Sequence, residues 1–417
     1  MNMESMRELA ARPWTLALGA IALFAVGVAT SRTAAHDTRA AVRVEPRTAD
    51  ELAMTLALAD DLWSENLSVR DPVVVVLARA GLEQLRASGV PARIVVDDIE
   101  AVARDERERL RHRVRDATGP GWYADYRDLD EINGRMATLA AAHPALVRLR
   151  SLGASVEGRP IRALEISHGG KLGIVLDGGH HAREWISAMV PICIADRLAT
   201  AYDGDPRVRK ILDAVRFFVV PLVNPDGYHY AWTVDRYWRK NRRGGYGVDL
   251  SRNYGVAWGQ AGSSGDRGSP NYRGERAFSE PETQAVRGLF EHEDIAAHVD
   301  FHSFSQVIVY PWSYQRAEPA DRDRFGAVAD RMSTAMVAAQ GKRYPIRPGS
   351  QLTVGASGTA TDWSYGERGA LAFLIELRPS SSADGGFVLP PEQIVPTCDE
   401  SFAGVLALAE SMVRERP

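Results

Sequence analysis

The chain has 417 residues, enough for one large domain with a smaller one beside it. Its 50 Lys and Arg are spread out and balanced by 54 Asp and Glu, a formal net charge of -4, which excludes a nucleic-acid binder. An apolar fraction of 45% with 25% charged residues describes an ordinary soluble globular protein. Two cysteines, Cys193 and Cys398, are too few for a disulfide framework; each sits among apolar residues and is expected to be a buried thiol.

In chain order, the apolar run Trp14 to Ala29 follows Arg7 and Arg12 and precedes the small residues Thr33-Ala34-Ala35. It reads as an export signal over residues 1–35, being shorter than the roughly 20 residues of a spanning helix. Glu4 and Glu8 offset the two arginines, so a retained membrane anchor stays open as the alternative. The expectation is a secreted or periplasmic protein that meets a membrane only if this segment stays attached.

Residues 36–115 alternate in period. Thr48 to Leu62 and Leu82 to Ala87 read as helices, and Val73 to Leu77 and Ala92 to Val96 as strands, with Gly89 and Pro91 as punctuation. A small α+β unit is expected. The charged run Arg104 to Arg113 after it reads as a solvated helix laced with ion pairs, and also as a stretch open to trypsin-like cleavage.

From residue 116 onward, Gly173 to Asp177, Val215 to Val219, Val299 to Phe301 and Leu371 to Ile375 are short apolar runs, as expected of strands buried on both faces. Between and beyond them, Asp130 to Ala142, Ile186 to Thr200, Glu280 to Glu293, Arg322 to Ala339 and Glu392 to Met412 read as helices. Interleaving of this kind gives an α/β fold, a sheet flanked by helices on both faces, whose functional site lies at the carboxyl ends of the strands.

The segment His181-Ala182-Arg183-Glu184-Trp185 follows one of those strands. A histidine and a glutamate three apart on a helical turn can grip one metal ion from one side. A third ligand must come from elsewhere, and His302, in His298-Val299-Asp300-Phe301-His302-Ser303, is the best candidate. Two His and one Glu leave the fourth tetrahedral position to water, the pattern of a catalytic zinc, and hydrolysis is the natural reading. Glu376 closes the run Leu371 to Ile375, where a carboxylate is costly unless it has a partner or a task, and general base is the task this reading supplies.

These segments recur with others in a fixed order: Glu157-Gly158-Arg159-Pro160-Ile161, the His181 block, Asn224-Pro225-Asp226-Gly227-Tyr228, Trp238-Arg239-Lys240-Asn241, Gly247-Val248-Asp249-Leu250, Arg252-Asn253-Tyr254, His302-Ser303-Phe304-Ser305-Gln306, Ala356-Ser357-Gly358, Asp362-Trp363-Ser364-Tyr365 and Phe373 to Arg378. In that series the chain resembles the metallocarboxypeptidases of the pancreatic carboxypeptidase A and B type, from about Tyr126 to its end. Carboxypeptidase A is itself one of the enzymes behind the two-His-one-Glu rule used above.

The resemblance implies a mixed twisted sheet with helices on both faces, one zinc per chain held by His181, Glu184 and His302, and a catalytic domain over residues 116–417 cleaving the C-terminal bond of a peptide or protein substrate. It implies that Glu376 and Arg239 are catalytic, Arg239 holding the oxyanion, and that Asp249 orients His181. Arg183, Arg252, Ser251 and Asn253 fall in the substrate-binding blocks, and Thr361 falls at the floor of the specificity pocket. With Val309 and Leu374 beside Thr361, a non-basic, small-to-medium terminal residue is expected.

Residues 36–115 resemble the activation segment of procarboxypeptidases, in Leu62-Trp63 and in Gly89 to Asp98, so a zymogen trimmed by a trypsin-like protease is implied. Three departures stand out: Ser251 where the family usually has asparagine, Val354 where a mobile tyrosine usually lies, and Phe304 in place of tyrosine. They keep two other readings open, a zinc endopeptidase or amidase on cell-wall or branched peptides, and a catalytically silent peptide-binding homologue.

Overall fold

Two sheets organise the chain. The computed structural model describes residues 38–64, 69, 71–114, 119–352 and 355–415; the segment read as an export signal and Val354 lie outside them. The first sheet uses β1 (Arg39–Val44), β2 (Asp61–Leu62), β3 (Val73–Ala78) and β4 (Ala92–Val96) in the antiparallel order β2-β3-β1-β4. Helices α1 (Ala49–Leu58) and α2 (Arg79–Ala87) pack on one face with Val42, Val44, Val73 and Val75. Ala41 and Val76 point the other way, toward α3 (Ile99–Arg111) and toward Tyr237 and Phe387 of the larger unit.

Sequence pattern and structure differ here in three places. The helix expected over Thr48 to Leu62 stops at Leu58, because Asp61 and Leu62 pair with Val76 and Val75. β1, the inner strand that both β3 and β4 flank, had no clear period of its own. The run Arg104 to Arg113 is mostly the second half of α3, with Glu108 pairing Arg111 and His112 on the solvent side and Glu106 and Leu110 buried on the other.

The larger unit follows as α4 (Leu129–Ala142), β5 (Val147–Ala154), β6 (Pro160–Ile166), β7 (Leu172–Gly178), α5 (Trp185–Ala201), α6 (Pro206–Ala214), β8 (Val215–Val220), α7 (Pro225–Thr233), α8 (Pro281–His292), β9 (Ile295–Ser303), β10 (Val307–Tyr310), α9 (Arg322–Gln340), β11 (Ile346–Pro348), α10 (Gly349–Leu352), α11 (Ala360–Gly366), β12 (Leu371–Leu377) and α12 (Ile394–Glu415). Its sheet runs β11-β10-β12-β9-β7-β8-β6-β5, with β12, β9, β7 and β8 parallel at the centre, antiparallel pairing outward to β10 on one side and to β6 and β5 on the other, and the edge strand β11 parallel to β10. Ile174 and Leu176 pack with α4, α5, α6, α9 and α12; Val175, between them, packs with α8 and α11 on the opposite face. The expected α/β architecture, a mixed sheet with helices on both faces, is what the chain adopts.

Register puts the chemistry in one place. Glu376 on β12 pairs with His302 on β9, and Gly178, the last residue of β7, pairs with Phe301. Three neighbouring parallel strands therefore end together, and the residues just past or at those ends are brought side by side.

Cys193 and Cys398 correct the expectation of two free thiols: they are joined, linking α5 to α12 across 205 residues of sequence with Cα atoms 6.2 Å apart. Each is buried among apolar residues as expected, but that burial says nothing of what lies opposite; only the packing of two distant helices makes them partners. A second brace holds the loop that leads to Asp249. Asn241 accepts from Val248 N at 2.7 Å, while its amide nitrogen donates to Glu280 at 2.7 Å and Glu282 at 3.2 Å. Val156 N and the Asn241 amide face Glu282, and Arg243 faces Glu280. Burial, with the Glu280 charge adding to it, pushes the Glu282 carboxyl up from 4.5 to about 7.

Replacing both cysteines by serine is expected to lower the urea unfolding free energy by about 2–4 kcal/mol, since the closed loop is long; an unchanged midpoint would refute the staple. For Glu282, the raised folded-state value means the native carboxyl contributes fully below about pH 4.5 and loses that contribution as pH rises through about 7. Glu282→Gln, which cannot ionise, should therefore gain stability on its parent between about pH 4.5 and 8, by up to ~3 kcal/mol. Urea titrations at several pH values check it, and a constant offset would show that Glu282 does not titrate there.

Candidate active site

His181 lies three residues beyond β7 and Glu184 immediately precedes α5, the two joined by a turn in which Glu184 N donates to His181 O at 3.2 Å. The pair thus shares one turn ahead of the helix rather than a turn of the helix itself. His181 Nδ1 is 2.8 Å from Glu184 Oε1, His302 Nδ1 is 3.0 Å from Glu184 Oε2, and the two Nδ1 atoms are 3.2 Å apart. Ser303 N steadies Glu184 Oε2 at 3.1 Å.

The far ring nitrogens assign the tautomers. His181 Nε2 meets Asp249 Oδ1 at 3.2 Å and His302 Nε2 meets Asp300 Oδ2 at 3.1 Å, so each ring carries its proton there and turns a bare Nδ1 inward. Two lone pairs and a carboxylate then face one another with no proton between them, an arrangement that a cation satisfies and mutual hydrogen bonding does not. The residues fit zinc with two imidazoles and one carboxylate. Burial works to raise the Glu184 carboxyl, and with no cation between them, protonated His181 and His302 rings would outweigh it and hold it at about 2. Burial likewise opposes ionisation of Asp249, and the Arg239 and Arg252 guanidiniums with His181 keep it well below the usual range.

His180 stands outside the triad, its Nε2 2.8 Å from the Tyr254 hydroxyl and its ring 5.7 Å from that of His302. Glu376, paired to His302 across the strands, lines a cavity of about 30 Å³ with His181, Ser251, Arg252, Val309 and Leu374. Arg378, two residues on, is engaged by Glu400 of α12 at 2.6 and 2.9 Å. Arg239 donates to Asp249 Oδ2 at 3.0 Å, so one carboxylate braces both His181 and this guanidinium. Arg252 donates to Gly262 O and Ser251 O.

Two residues grouped with substrate binding lie differently. Asn253 is buried, with its amide nitrogen donating to Arg273 O, Arg276 O and Ser279 Oγ and its oxygen accepting from Glu280 N and Thr283 Oγ1. Its polar groups are engaged in bracing the loop. On the α11 side the cavity is walled by Thr359 and Ala360, and Thr361 is buried with its carbonyl accepting from the Ser364 hydroxyl. Phe304 turns its ring toward Phe387, 5.0 Å away.

The small N-terminal unit reaches this place. Arg183 donates to Asp61 Oδ2 and to Leu62 O, each at 2.7 Å, with its guanidinium 4.2 Å over the Phe387 ring. Trp63 stacks on Tyr237, and Arg236 is paired with Glu106 of α3 while donating to Arg183 O and Phe387 O. The sequence reading missed Asp61, Glu106, Arg236 and Asp300. Only Asp300 carried a signal, since alternate positions on a strand put it on the same side as His302.

Residues 132–404 match the family model described as zinc carboxypeptidase, peptidase M14. The chain is 31% identical to zinc carboxypeptidase A 1 of Anopheles gambiae, over 98% of this chain and 97% of that protein. It is 37% identical to carboxypeptidase B of Astacus astacus, over 69% of this chain and 97% of that one. Among solved structures, thrombin activatable fibrinolysis inhibitor matches with a TM-score of 0.82 at 29% identity, covering 90% of this chain and 99% of the other. With the sheet, the His-Glu-His convergence and these relatives agreeing, the chain belongs to the zinc carboxypeptidase family, a zinc metallohydrolase that cleaves C-terminal peptide bonds.

Proposed function

We propose that the chain is the exported zymogen of a zinc carboxypeptidase that removes non-basic, small-to-medium terminal residues, with residues 1–35 as signal, 36–115 as activation segment and 116–417 as catalytic domain. The observation that carries the catalytic assignment is the convergence of two bare Nδ1 atoms and the Glu184 carboxylate within 3.2 Å, beside Glu376. His181, Glu184 and His302 hold the zinc. Once held, zinc supplies Lewis-acid polarisation of the scissile carbonyl and makes a water more acidic.

Glu376 takes the proton from the attacking water and delivers it to the leaving amine, from a strand end fixed in register beside His302. Arg239, aimed by Asp249, stabilises the charge growing on the carbonyl oxygen. Arg252 receives the substrate's terminal carboxylate, a task suited to its guanidinium fork, and Ser251 shares the cavity. Val309, Leu374 and Ala360 give that cavity apolar walls, which favour an uncharged terminal side chain over Lys or Arg. The Cys193–Cys398 bond supports export, since such bonds persist in oxidising compartments. Among the described residues no helix is long and apolar enough to cross a membrane.

The zymogen reading rests on Arg183. Asp61 offers it a carboxylate and Leu62 a backbone carbonyl, the same two groups a peptide's end presents, so the N-terminal unit competes for the cleft. Arg111, largely exposed at the end of α3, is open to a trypsin-like protease, while Arg113 is held by Glu131.

Blocked peptides ending in Leu, Phe, Lys or Arg, each as free acid and as amide, test the activity of the trimmed enzyme with and without a chelator. Free acids ending in Leu should be turned over faster than those ending in Lys or Arg, a preference for Arg overturning the specificity reading, amides should be slow, and Glu376→Gln should keep its zinc while kcat falls by about 10²–10⁴. Equal rates on amides would instead favour the endopeptidase or amidase reading. For the zymogen, Asp61→Ala should raise turnover by the untrimmed chain toward that of the trimmed one; if trimming changes nothing in either protein, inhibition by residues 36–115 is ruled out.

A further inference from the structure

β9 carries His298, Asp300 and His302 at alternate positions, so all three face the same side of the sheet, each at most 2% exposed. His298 is spoken for: its Nε2 lies 3.0 Å from Asp177 Oδ1 and its Nδ1 2.9 Å from the Ser364 hydroxyl. Asp300 is divided differently. One oxygen, Oδ2, takes His302 Nε2 at 3.1 Å, and the other, Oδ1, lies 3.1 Å from His180 Nδ1. Behind His180, its Nε2 meets the buried Tyr254 hydroxyl at 2.8 Å, and the His180 ring lies nearly parallel to that of His302, 22° off at 5.7 Å.

We infer that Asp300, backed by His180 and Tyr254, is a positioning relay that sets the tautomer and ring angle of His302, a counterpart to Asp249 behind His181. This rests on the reading of His181, Glu184 and His302 as the zinc site. The proton directions follow from the partners. The Tyr254 phenol donates to His180 Nε2, which places the His180 proton on Nδ1, toward Asp300. Asp300 thus takes the His302 N–H as a hydrogen bond on Oδ2, with His180 Nδ1 3.1 Å from Oδ1 as a contact outside hydrogen-bond geometry, and His302 keeps Nδ1 bare. Without the carboxylate, His302 is free to carry its proton on either nitrogen and to turn about its ring bond, and the lone pair is no longer aimed at the point where Glu184 and His181 converge. His180 and Tyr254 lie outside the lining of the cavity, while Asp300 borders it and acts through His302.

Zinc affinity of the full-length chain, measured by competition against a chelator, tests this, together with the visible spectrum of the cobalt-substituted protein and thermal unfolding of the metal-free form. Asp300→Asn should bind zinc about 10–100-fold more weakly and shift the cobalt bands. Tyr254→Phe should weaken binding by about two- to tenfold. A folded Asp300→Asn protein whose affinity lies within about twofold of the parent overturns the inference, as does a drop in metal-free stability with affinity unchanged. If Asp300→Asn does not fold, Tyr254→Phe decides, and unchanged affinity there overturns it. Glu184→Ala separates the two levels: if it binds zinc as tightly as the parent, the reading of the metal site itself fails, whatever Asp300 does.

Discussion

Three acceptor groups held against one another in the interior, with no proton to share, are the constraint to which the rest of the fold answers. Left alone, two inward-facing imidazole lone pairs and a carboxylate repel and pay for desolvation. The chain meets this from behind, where Asp249 and Asp300 fix one ring each, and from the backbone, where Ser303 N holds Glu184. What is left over is an arrangement poised for a divalent cation. Its position is set by β7, β9 and β12, three adjacent parallel strands whose ends the sheet register aligns.

The same economy recurs in the surroundings. Asp249 serves His181 and Arg239 together, so that the groups assigned to metal binding and oxyanion stabilisation share one brace. Asn241, Glu280 and Glu282 hold the loop that presents Asp249, and Asn253 ties the following segment to α8. Glu400 draws Arg378 toward α12, leaving Glu376 on the cavity side of β12. These buried polar residues are paired in small sets, which is what makes them tolerable in an interior otherwise built largely from Val, Ile, Leu and Phe.

The cleft's arginines give the N-terminal unit something to hold. Arg183 meets a carboxylate and a carbonyl from β2, and Arg236 meets Glu106 from α3, so two elements of the small unit are tied to the segments flanking the proposed zinc site. Trp63 fills the space against Tyr237 and Phe387. A guanidinium suited to a carboxylate and a carbonyl meets both in the chain's own β2.

Apolar runs of branched residues were enough to specify the α/β class, because they depend on local period, and the family was legible from the resemblance carried by the ordered blocks between Glu157 and Arg378. The central strands and long helices were legible for the same reason. The polar edge strand β5 and the inner strand β1 were not, since their identity comes from the neighbours they pair with. Tertiary structure alone decided that Cys193 meets Cys398, that Asn253 turns inward to brace a loop, that Asp61 reaches Arg183, and that Asp300 stands behind His302 with His180. In each case the deciding quantity is the distance between residues far apart in the chain, which no period or composition encodes.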